Sequence, residues 1–293
     1  GVPHTMGIAP LADNVADESS ILIERLEAAG AIPLGTTNTP ELGHTMLTDN
    51  ELLGPTPTPF DPDGEYNAGG SSGGSAAALA ADLAPLATGS DVGGSLRIPA
   101  ACCGVVSVKP TMGLVPKDNR PDGFGSHTPV GVVGPMARTV ADVALLLDVL
   151  VGRDDADPFS VPAPDDDYVA AATDPVREGR VAFDPHVGPF PVAESVRSCC
   201  RAAVDAFDAA GLETDEVELD TPTKGELTYA YGTEATPLFA SLVAQIDAEH
   251  DLDLTGEDAD RVASSFVQTV QMGQGHDAAS YLETNTIRTA LYD

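Results

Sequence analysis

Gly69-Gly70-Ser71-Ser72-Gly73-Gly74-Ser75-Ala76-Ala77-Ala78, followed by Gly89-Ser90-Asp91-Val92-Gly93-Gly94-Ser95-Leu96-Arg97-Ile98-Pro99-Ala100-Ala101, is the stretch from which the fold is read. Each half holds a glycine-rich turn that carries serines. Between the turns lie an Ala-rich segment, which predicts a helix from Ser75 to about Leu83, and an apolar strand at Pro85–Thr88. Working outward, Ser19–Ala29 reads as an amphipathic helix, with Asp17 or Ser19 as N-cap and Gly30 as its stop. Ala31–Leu34 reads as a short strand. An irregular stretch, Gly54–Gly70, is rich in Pro, Thr and Gly. Val140–Val151 reads as a buried helix with Val140, Ala144, Leu147 and Val151 on one face, and 154–167 as an acidic, Pro-rich connector. Arg180–Phe183, Ala193–Ala210 and Val217–Leu219 form a further βαβ-like unit. The last third reads as helical, with Val262, Phe266 and Val270 four apart and a final helix over Ala278–Asp293. Strands alternating with helices predict an α/β layered domain.

Glycine lets backbone N–H groups approach a ligand closely, because no Cβ stands in the way. Around Asp91–Ser95, successive N–H groups can converge beside the Ser95 hydroxyl, as an acyl-transfer enzyme requires: the hydroxyl attacks a carbonyl and the N–H groups hold the oxygen that turns negative. A flexible Gly/Ser linker fits poorly, since linkers do not alternate with apolar segments such as Ala76–Leu83 and Ile98–Val108. A phosphate loop lacks its Gly-x-x-x-x-Gly-Lys-Ser/Thr signature. Spacing alone leaves catalysis and tight helix-on-strand packing both open.

The chain has 293 residues, 46 Asp and Glu against 14 Lys and Arg, and a formal charge of −32. Its lysines are Lys109, Lys117 and Lys224. The acids are scattered between patterned apolar segments rather than gathered in a tail, as in salt-adapted proteins whose self-repulsion is screened by electrolyte. No basic patch for nucleic-acid phosphate is visible. The four cysteines form the pairs Cys102–Cys103 and Cys199–Cys200, neither with metal-ligand spacing. Cys200 lies on an apolar stripe with Val196, Ala203 and Phe207, which predicts core packing. The six histidines are dispersed, so no metal is implied. No apolar run reaches the ~18 residues of a membrane span; Val140–Val151 is broken by Asp142 and Asp148. No signal peptide is evident, and a cytoplasmic location is expected. The chain opens at Gly1 without methionine, so a natural translation start is not expected there.

The two serine–glycine stretches, together with Lys109-Pro110-Thr111, resemble the signature of the amidase-signature family. Gly35-Thr36-Thr37-Asn38-Thr39-Pro40-Glu41-Leu42, Gly134-Pro135-Met136-Ala137-Arg138-Thr139-Val140 and Phe190-Pro191-Val192 agree with it as well. The resemblance is clear over roughly the first 220 residues and weaker beyond. It implies a layered α/β/α fold with a mixed central sheet, one domain over 1–293 with the connector 154–167 inside it, incomplete at both ends. It also implies a Ser-Ser-Lys hydrolase that works through an acyl-enzyme, without cofactor, on a small-molecule amide.

Carried over, Ser95 is the nucleophile and Ser71 the bridging serine, held by a cis peptide and relaying a proton. The N–H groups of Val92, Gly93 and Gly94, with that of Ser95, form the oxyanion hole, while Asp91, Arg97 and Ser72 support it. The base is a lysine made neutral by burial. In the family it stands in a Lys-Asp pair shortly before a segment that Gly1-Val2-Pro3-His4-Thr5-Met6-Gly7 resembles, which puts it upstream of residue 1. Lys109 matches a structural lysine, and Lys117 and Lys224 match nothing catalytic. The chain by itself is therefore expected to be inactive, and poorly soluble or oligomeric, a homodimer among the options. Ile98 and the segment 128–136 point to a stand-alone amidase. At the position of Ile98 the glutamyl-tRNA(Gln)/aspartyl-tRNA(Asn) amidotransferase typically has glutamine in its A subunit. The alternatives are a non-catalytic amidase-like scaffold and that A subunit.

Overall fold

The computed structural model describes residues 1–61, 63–120, 122–124, 131–165, 167–174 and 178–293. In chain order its elements are α1 (Ile21–Ala28), α2 (Gly73–Ala80), β1 (Leu86–Asp91), α3 (Arg97–Cys103), β2 (Val106–Ser107), β3 (Val132–Ala137), α4 (Val140–Leu150), α5 (Tyr168–Thr173), β4 (Arg180–Phe183), α6 (Glu194–Ala209), β5 (Glu213–Glu216), α7 (Lys224–His250), α8 (Ser264–Gln274) and α9 (Ala278–Tyr292). The α/β class read from the sequence is the one observed. The described residues fall into two compact units: 1–173 with 235–275, and 174–234 with 276–293.

In the first unit β3 lies between β1 and β2, antiparallel to both, with Leu86 opposite Ala137 and Asp91 opposite Val132. β3 is the apolar centre of this sheet. The small residues of α2 allow it to sit close on β1, where the Ser75 hydroxyl donates to Thr88 O (2.9 Å). α4 starts at Thr139, whose hydroxyl accepts the Asp142 N–H (3.1 Å) as an N-cap. Leu146, Leu147 and Leu150 then pack with Val115 and with Leu22, Leu26, Leu86 and Val133. The last carbonyls of a helix have no intrahelical partner. Here Arg25 supplies one, donating to Leu150 O, Val151 O, Gly152 O and Arg153 O at 2.7–3.1 Å. A second cluster of Ala68, Ala76, Leu79, Leu96, Ala100, Cys103 and Met136 lies beneath the two glycine-rich turns. A third joins Ile8 and Leu11 to Phe239, Val243 and Ile246 of α7 and to Phe266 and Val270 of α8. Each Val, Leu, Ile, Phe or Met among them contributes about 1.5–3 kcal/mol on burial.

The second unit contains the parallel pair β4–β5, α6, α9 and residues 224–234 of α7. The βαβ-like arrangement is as read from the sequence, but the second strand is Glu213–Glu216, not Val217–Leu219. Exposed ion pairs flank it: Arg180 pairs with Asp215, and Arg201 of α6 with Glu216. Arg201 also lies 4.8 Å over the Phe183 ring, so α6 turns its arginine face toward the strands. Cys200, Val196 and Phe207 consequently remain exposed, which corrects the core placement expected for Cys200.

Other expectations also shift. Ala31–Leu34 forms no strand, because no neighbour among the described residues pairs with it, and Ile32 and Leu34 stand exposed. Ser20, not Asp17 or Ser19, is the N-cap residue of α1. Val140 is exposed at the first turn of α4, whose buried face is Val143, Ala144, Leu146, Leu147 and Leu150. The acidic connector buries Asp157, whose carboxylate accepts the N–H groups of Lys117 and Phe159. Of the segment 128–136, Thr128–Val130 lie outside the described residues. Among the described residues no helix is long and apolar enough to cross a membrane.

Candidate active site

β1 ends at Asp91, and the chain turns through Val92–Leu96 into α3. The Asp91 carboxylate is fully buried inside that turn. It accepts the N–H of Gly94 (2.7 Å) and of Leu96 (3.1 Å), and two bonds from the Arg97 guanidinium, both 2.9 Å. Burial alone would push this carboxyl up. The hydrogen bonds from Arg97, Gly94 and Leu96, with the guanidinium's charge, overcome that and hold it below the usual aspartate value. Arg97 is raised by its bond to Asp91, and its side chain is 56% exposed, so the cation keeps much of its hydration. The turn is thus wound around an ionised carboxylate with every oxygen engaged.

This geometry divides the N–H groups of the turn. Gly94, read from the sequence as an oxyanion donor, directs its N–H at Asp91. Among the described residues the N–H groups of Val92, Gly93 and Ser95 have no intramolecular acceptor. Gly93 is exposed, and Val92 and Ser95 are half-buried, so these three donors belong to the same accessible turn as the Ser95 hydroxyl.

Ser72 ties the two glycine-rich turns together. Its N–H donates to Ser95 O (3.2 Å), while its hydroxyl donates to Ser90 O (3.3 Å) and accepts the Ser90 N–H (3.2 Å). Ser71, the next residue back along the chain, is therefore carried to the Ser95 turn. The Gly70–Ser71 peptide is cis, and the Ser71 side chain is buried. Ile98, from the first turn of α3, lies against both Gly69 and Gly94 and fills the space between the turns.

The segment 41–48, of which the sequence reading singled out no residue as functional, forms the seat of Ser71. A methyl group on Gly43 would lie 2.8 Å from Ser71 Oγ, so that hydroxyl rests directly on the Gly43 backbone. Glu41 is fully buried. Its Oε1 accepts the Ala263 N–H (3.0 Å), and its Oε2 has no hydrogen-bond partner and lies 3.8 Å from His44 Nδ1. His44 meets Glu41 O (3.1 Å) and Ser265 Oγ (3.1 Å) and packs edge-on against Phe266. Its desolvation lowers its pKa despite the carbonyl bond and the charge of Glu41, so the ring is neutral at pH 7. Asn67 binds Thr48 reciprocally, with Oδ1 accepting the N–H groups of Thr48 and Gly69 and Nδ2 donating to Thr48 O. Polar residues in an irregular stretch between two expected elements were the signal available for these roles. Asx-type bonding of the kind Asn67 makes is common in such stretches.

None of the three lysines bonds to either serine. Lys109 Nζ meets Pro110 O (3.3 Å), Lys117 Nζ meets Gly131 O (3.2 Å), and Lys224 is exposed at the start of α7. Burial lowers Lys117, an effect that Asp157 partly offsets. All four cysteines are free, and among the described residues no group of His, Cys, Asp and Glu is placed to hold a metal ion.

The family model described as Amidase matches residues 1–289. The chain is 45% identical over 216 residues to an acylamidase of Rhodococcus erythropolis, covering 74% of this chain and 44% of that protein. It is 38% identical over 279 residues to the A subunit of the glutamyl-tRNA(Gln) amidotransferase of Natronomonas pharaonis, covering 94% of this chain and 64% of that one. A bacterial aryl acylamidase of the amidase signature enzymes superposes with a TM-score of 0.89 at 31% identity, over all of this chain and 60% of its own. The chain thus spans less than two thirds of the length of each of these relatives.

Proposed function

The chain belongs to the amidase signature family, and from that membership and the geometry of the two serine turns we propose that the protein containing it hydrolyses carboxamides through an acyl-enzyme formed on Ser95. The observation that carries the reading is the set of unengaged N–H groups at Val92, Gly93 and Ser95, in the same turn as the Ser95 hydroxyl, which Asp91 locks from inside. Ser95 Oγ attacks the amide carbon and gives its proton to Ser71. The carbonyl oxygen, now negative, is held by the N–H groups of Val92, Gly93 and Ser95, where preorganised donors are worth about 3–4 kcal/mol each. The C–N bond breaks as the leaving nitrogen takes the proton back from Ser71. Water then attacks the Ser95 ester by the same relay and releases the carboxylate. In each of these transfers Ser71 gives its own proton to a neutral lysine as it receives one, and takes it back from the ammonium when the proton returns to the leaving nitrogen or to Ser95. The family resemblance puts that lysine upstream of residue 1. Asp91, Arg97 and Ser72 fix the two turns relative to each other and Gly94 secures the hole without lining it.

Ile98 between the two turns, and the higher identity to the acylamidase, favour a stand-alone enzyme acting on a small-molecule amide. The charge of −32 supports a salt-adapted cytoplasmic protein. The test is labelling of the full-length protein with a fluorophosphonate in molar KCl, read by mass spectrometry. An adduct on Ser95, absent in Ser95→Ala and weakened in Ser71→Ala, is expected. A folded protein that takes no adduct on Ser95 would refute the serine chemistry. The second reading, the A subunit of an amidotransferase, is favoured by the 94% coverage of this chain in the Natronomonas match. It predicts ammonia release from glutamine that depends on partner subunits, whereas the stand-alone reading predicts simple amide hydrolysis without them.

A further inference from the structure

Thr48 is fully buried and makes every hydrogen bond of its hydroxyl with the backbone around Ser71. Its Oγ1 lies 2.8 Å from Gly69 O and 3.3 Å from Ser71 O, and it accepts the Gly73 N–H at 3.1 Å. A hydroxyl has one proton and two lone pairs. The Gly69 carbonyl takes the proton at the shorter distance, the Ser71 carbonyl shares it, and Gly73 fills an acceptor position. A methyl group on Gly73 would come within 2.3 Å of Thr48 Oγ1, so this close approach exists only because residue 73 is glycine. Thr48 is held in turn by Asn67 through both its N–H and its carbonyl. One side chain therefore fixes the carbonyl before the Gly70–Ser71 peptide, the carbonyl after it, and the first N–H of α2.

We infer that Thr48 is a positioning residue for the proton relay through Ser71, an inference that rests on the amide-hydrolysis reading. The physical reason is directional. Ser71 Oγ must meet the Ser95 hydroxyl and the base at once, and its direction follows from the backbone at 70 and 71. Ser72 fixes that backbone toward Ser95, and Gly43 bounds the hydroxyl on one side. Neither holds the carbonyls of Gly69 and Ser71, which Thr48 does. Misplacing a catalytic group by about 1 Å costs on the order of 100-fold in rate.

The experiment uses the full-length protein and measures kcat and KM for a chromogenic amide alongside the rate of fluorophosphonate labelling at Ser95. Thr48→Val keeps the shape and removes the hydroxyl. The expected result is a fall in kcat of about 100-fold with KM changed by less than about threefold, and recovery to within about fivefold of the parent in Thr48→Ser. Val143→Ala, in the core of α4, is the control for lost stability and should leave kcat near the parent value. Should Thr48→Val fail to fold, Thr48→Ala, which leaves room for a water to take the three bonds, is measured against the same criteria. A kcat retained within threefold in Thr48→Val, an equal loss in Val143→Ala, or no recovery in a folded Thr48→Ser would overturn the inference. So would failure of both Thr48→Val and Thr48→Ala to fold while Thr48→Ser folds, since the hydroxyl would then be a folding requirement. A parent protein that hydrolyses no amide and takes no label on Ser95 speaks instead against the amide-hydrolysis reading, which separates the two failures.

Discussion

Replacing Asp91 by asparagine keeps the shape of the turn and removes its charge, and the cost can be worked from the four bonds the carboxylate accepts. An amide offers one oxygen. Placed at Oδ1 it retains Gly94 and one Arg97 bond, and its NH2 then faces Leu96 N–H and Arg97 Nε, two donors opposed to a donor. Hydrogen bonds to a charged group contribute about 1.5–3 kcal/mol each, so losing two gives about 3–6 kcal/mol. Arg97, more than half exposed, regains water and returns part of that. The expected loss is about 3 kcal/mol, on the order of 100-fold in the unfolding equilibrium. The pH dependence has a definite sign. Asp91 is held below its ordinary value in the folded state, so its contribution is present above the unfolded pKa and is lost as pH falls through the folded one. The assay is denaturant unfolding of parent and Asp91→Asn in KCl, from pH 7 down to the acid limit of folding. The gap should be full at pH 7 and begin to close below about pH 4. Equal midpoints at pH 7, or a gap that widens on acidification, would refute the buried-carboxylate account of this turn.

Gly43→Ala puts a methyl 2.8 Å from Ser71 Oγ on a backbone held at φ +75°, so it should slow labelling of Ser95 by about 100-fold and also lower the unfolding midpoint; labelling at the parent rate would show that the hydroxyl has room to spare. His44 is depressed below its ordinary value of 6.5 by burial, so the unfolded chain takes up the proton first and stability falls as pH drops below that value. Between pH 7.5 and 5.5 the parent should therefore lose more stability than His44→Gln, and equal losses by denaturant titration would count against a buried neutral ring. With a charge of −32, moving from 0.1 to 1 M KCl shortens the screening length from about 10 to about 3 Å and should raise the melting temperature by at least about 3 °C; a flat calorimetric response would leave the acidic surface without a stabilising link to salt.

The serine turns were legible because the residues that make them are contiguous and chemically rare in that order. Glycines permit close backbone approach, and Asp91, Ser95 and Arg97 fall within seven residues, so local sequence contains most of the turn's geometry. Gly94 is the instructive departure. Sequence cannot say which of three successive N–H groups faces outward, because that depends on the Asp91 side chain folding back three residues to take one of them. The same limit explains β5 and α6. The residues Val217–Leu219 read as a strand, and the helical stripe of Val196, Cys200, Ala203 and Phe207 points to a buried Cys200. Yet the strand that pairs with β4 is the polar Glu213–Glu216, and α6 has no buried residue, its Arg201 meeting Glu216 and the Phe183 ring.

The seat of Ser71 was illegible for a different reason. Glu41, Gly43, His44 and Thr48 reach the serine turn, and α8, across separations of 21 to 222 residues, through one hydroxyl, one imidazole and one carboxylate. Nothing in the local sequence around Thr48, which follows another threonine at Thr45, marks it as the one whose hydroxyl will meet two carbonyls. Function in this unit thus divides between a motif that announces itself and a polar cradle that only the fold assembles. On the proposed amide-hydrolysis reading, the motif supplies the reacting atoms and the cradle sets the direction of Ser71. On that reading, substitutions that spare every signature residue should still impair the relay, and a variant series confined to the serines would miss what the cradle contributes.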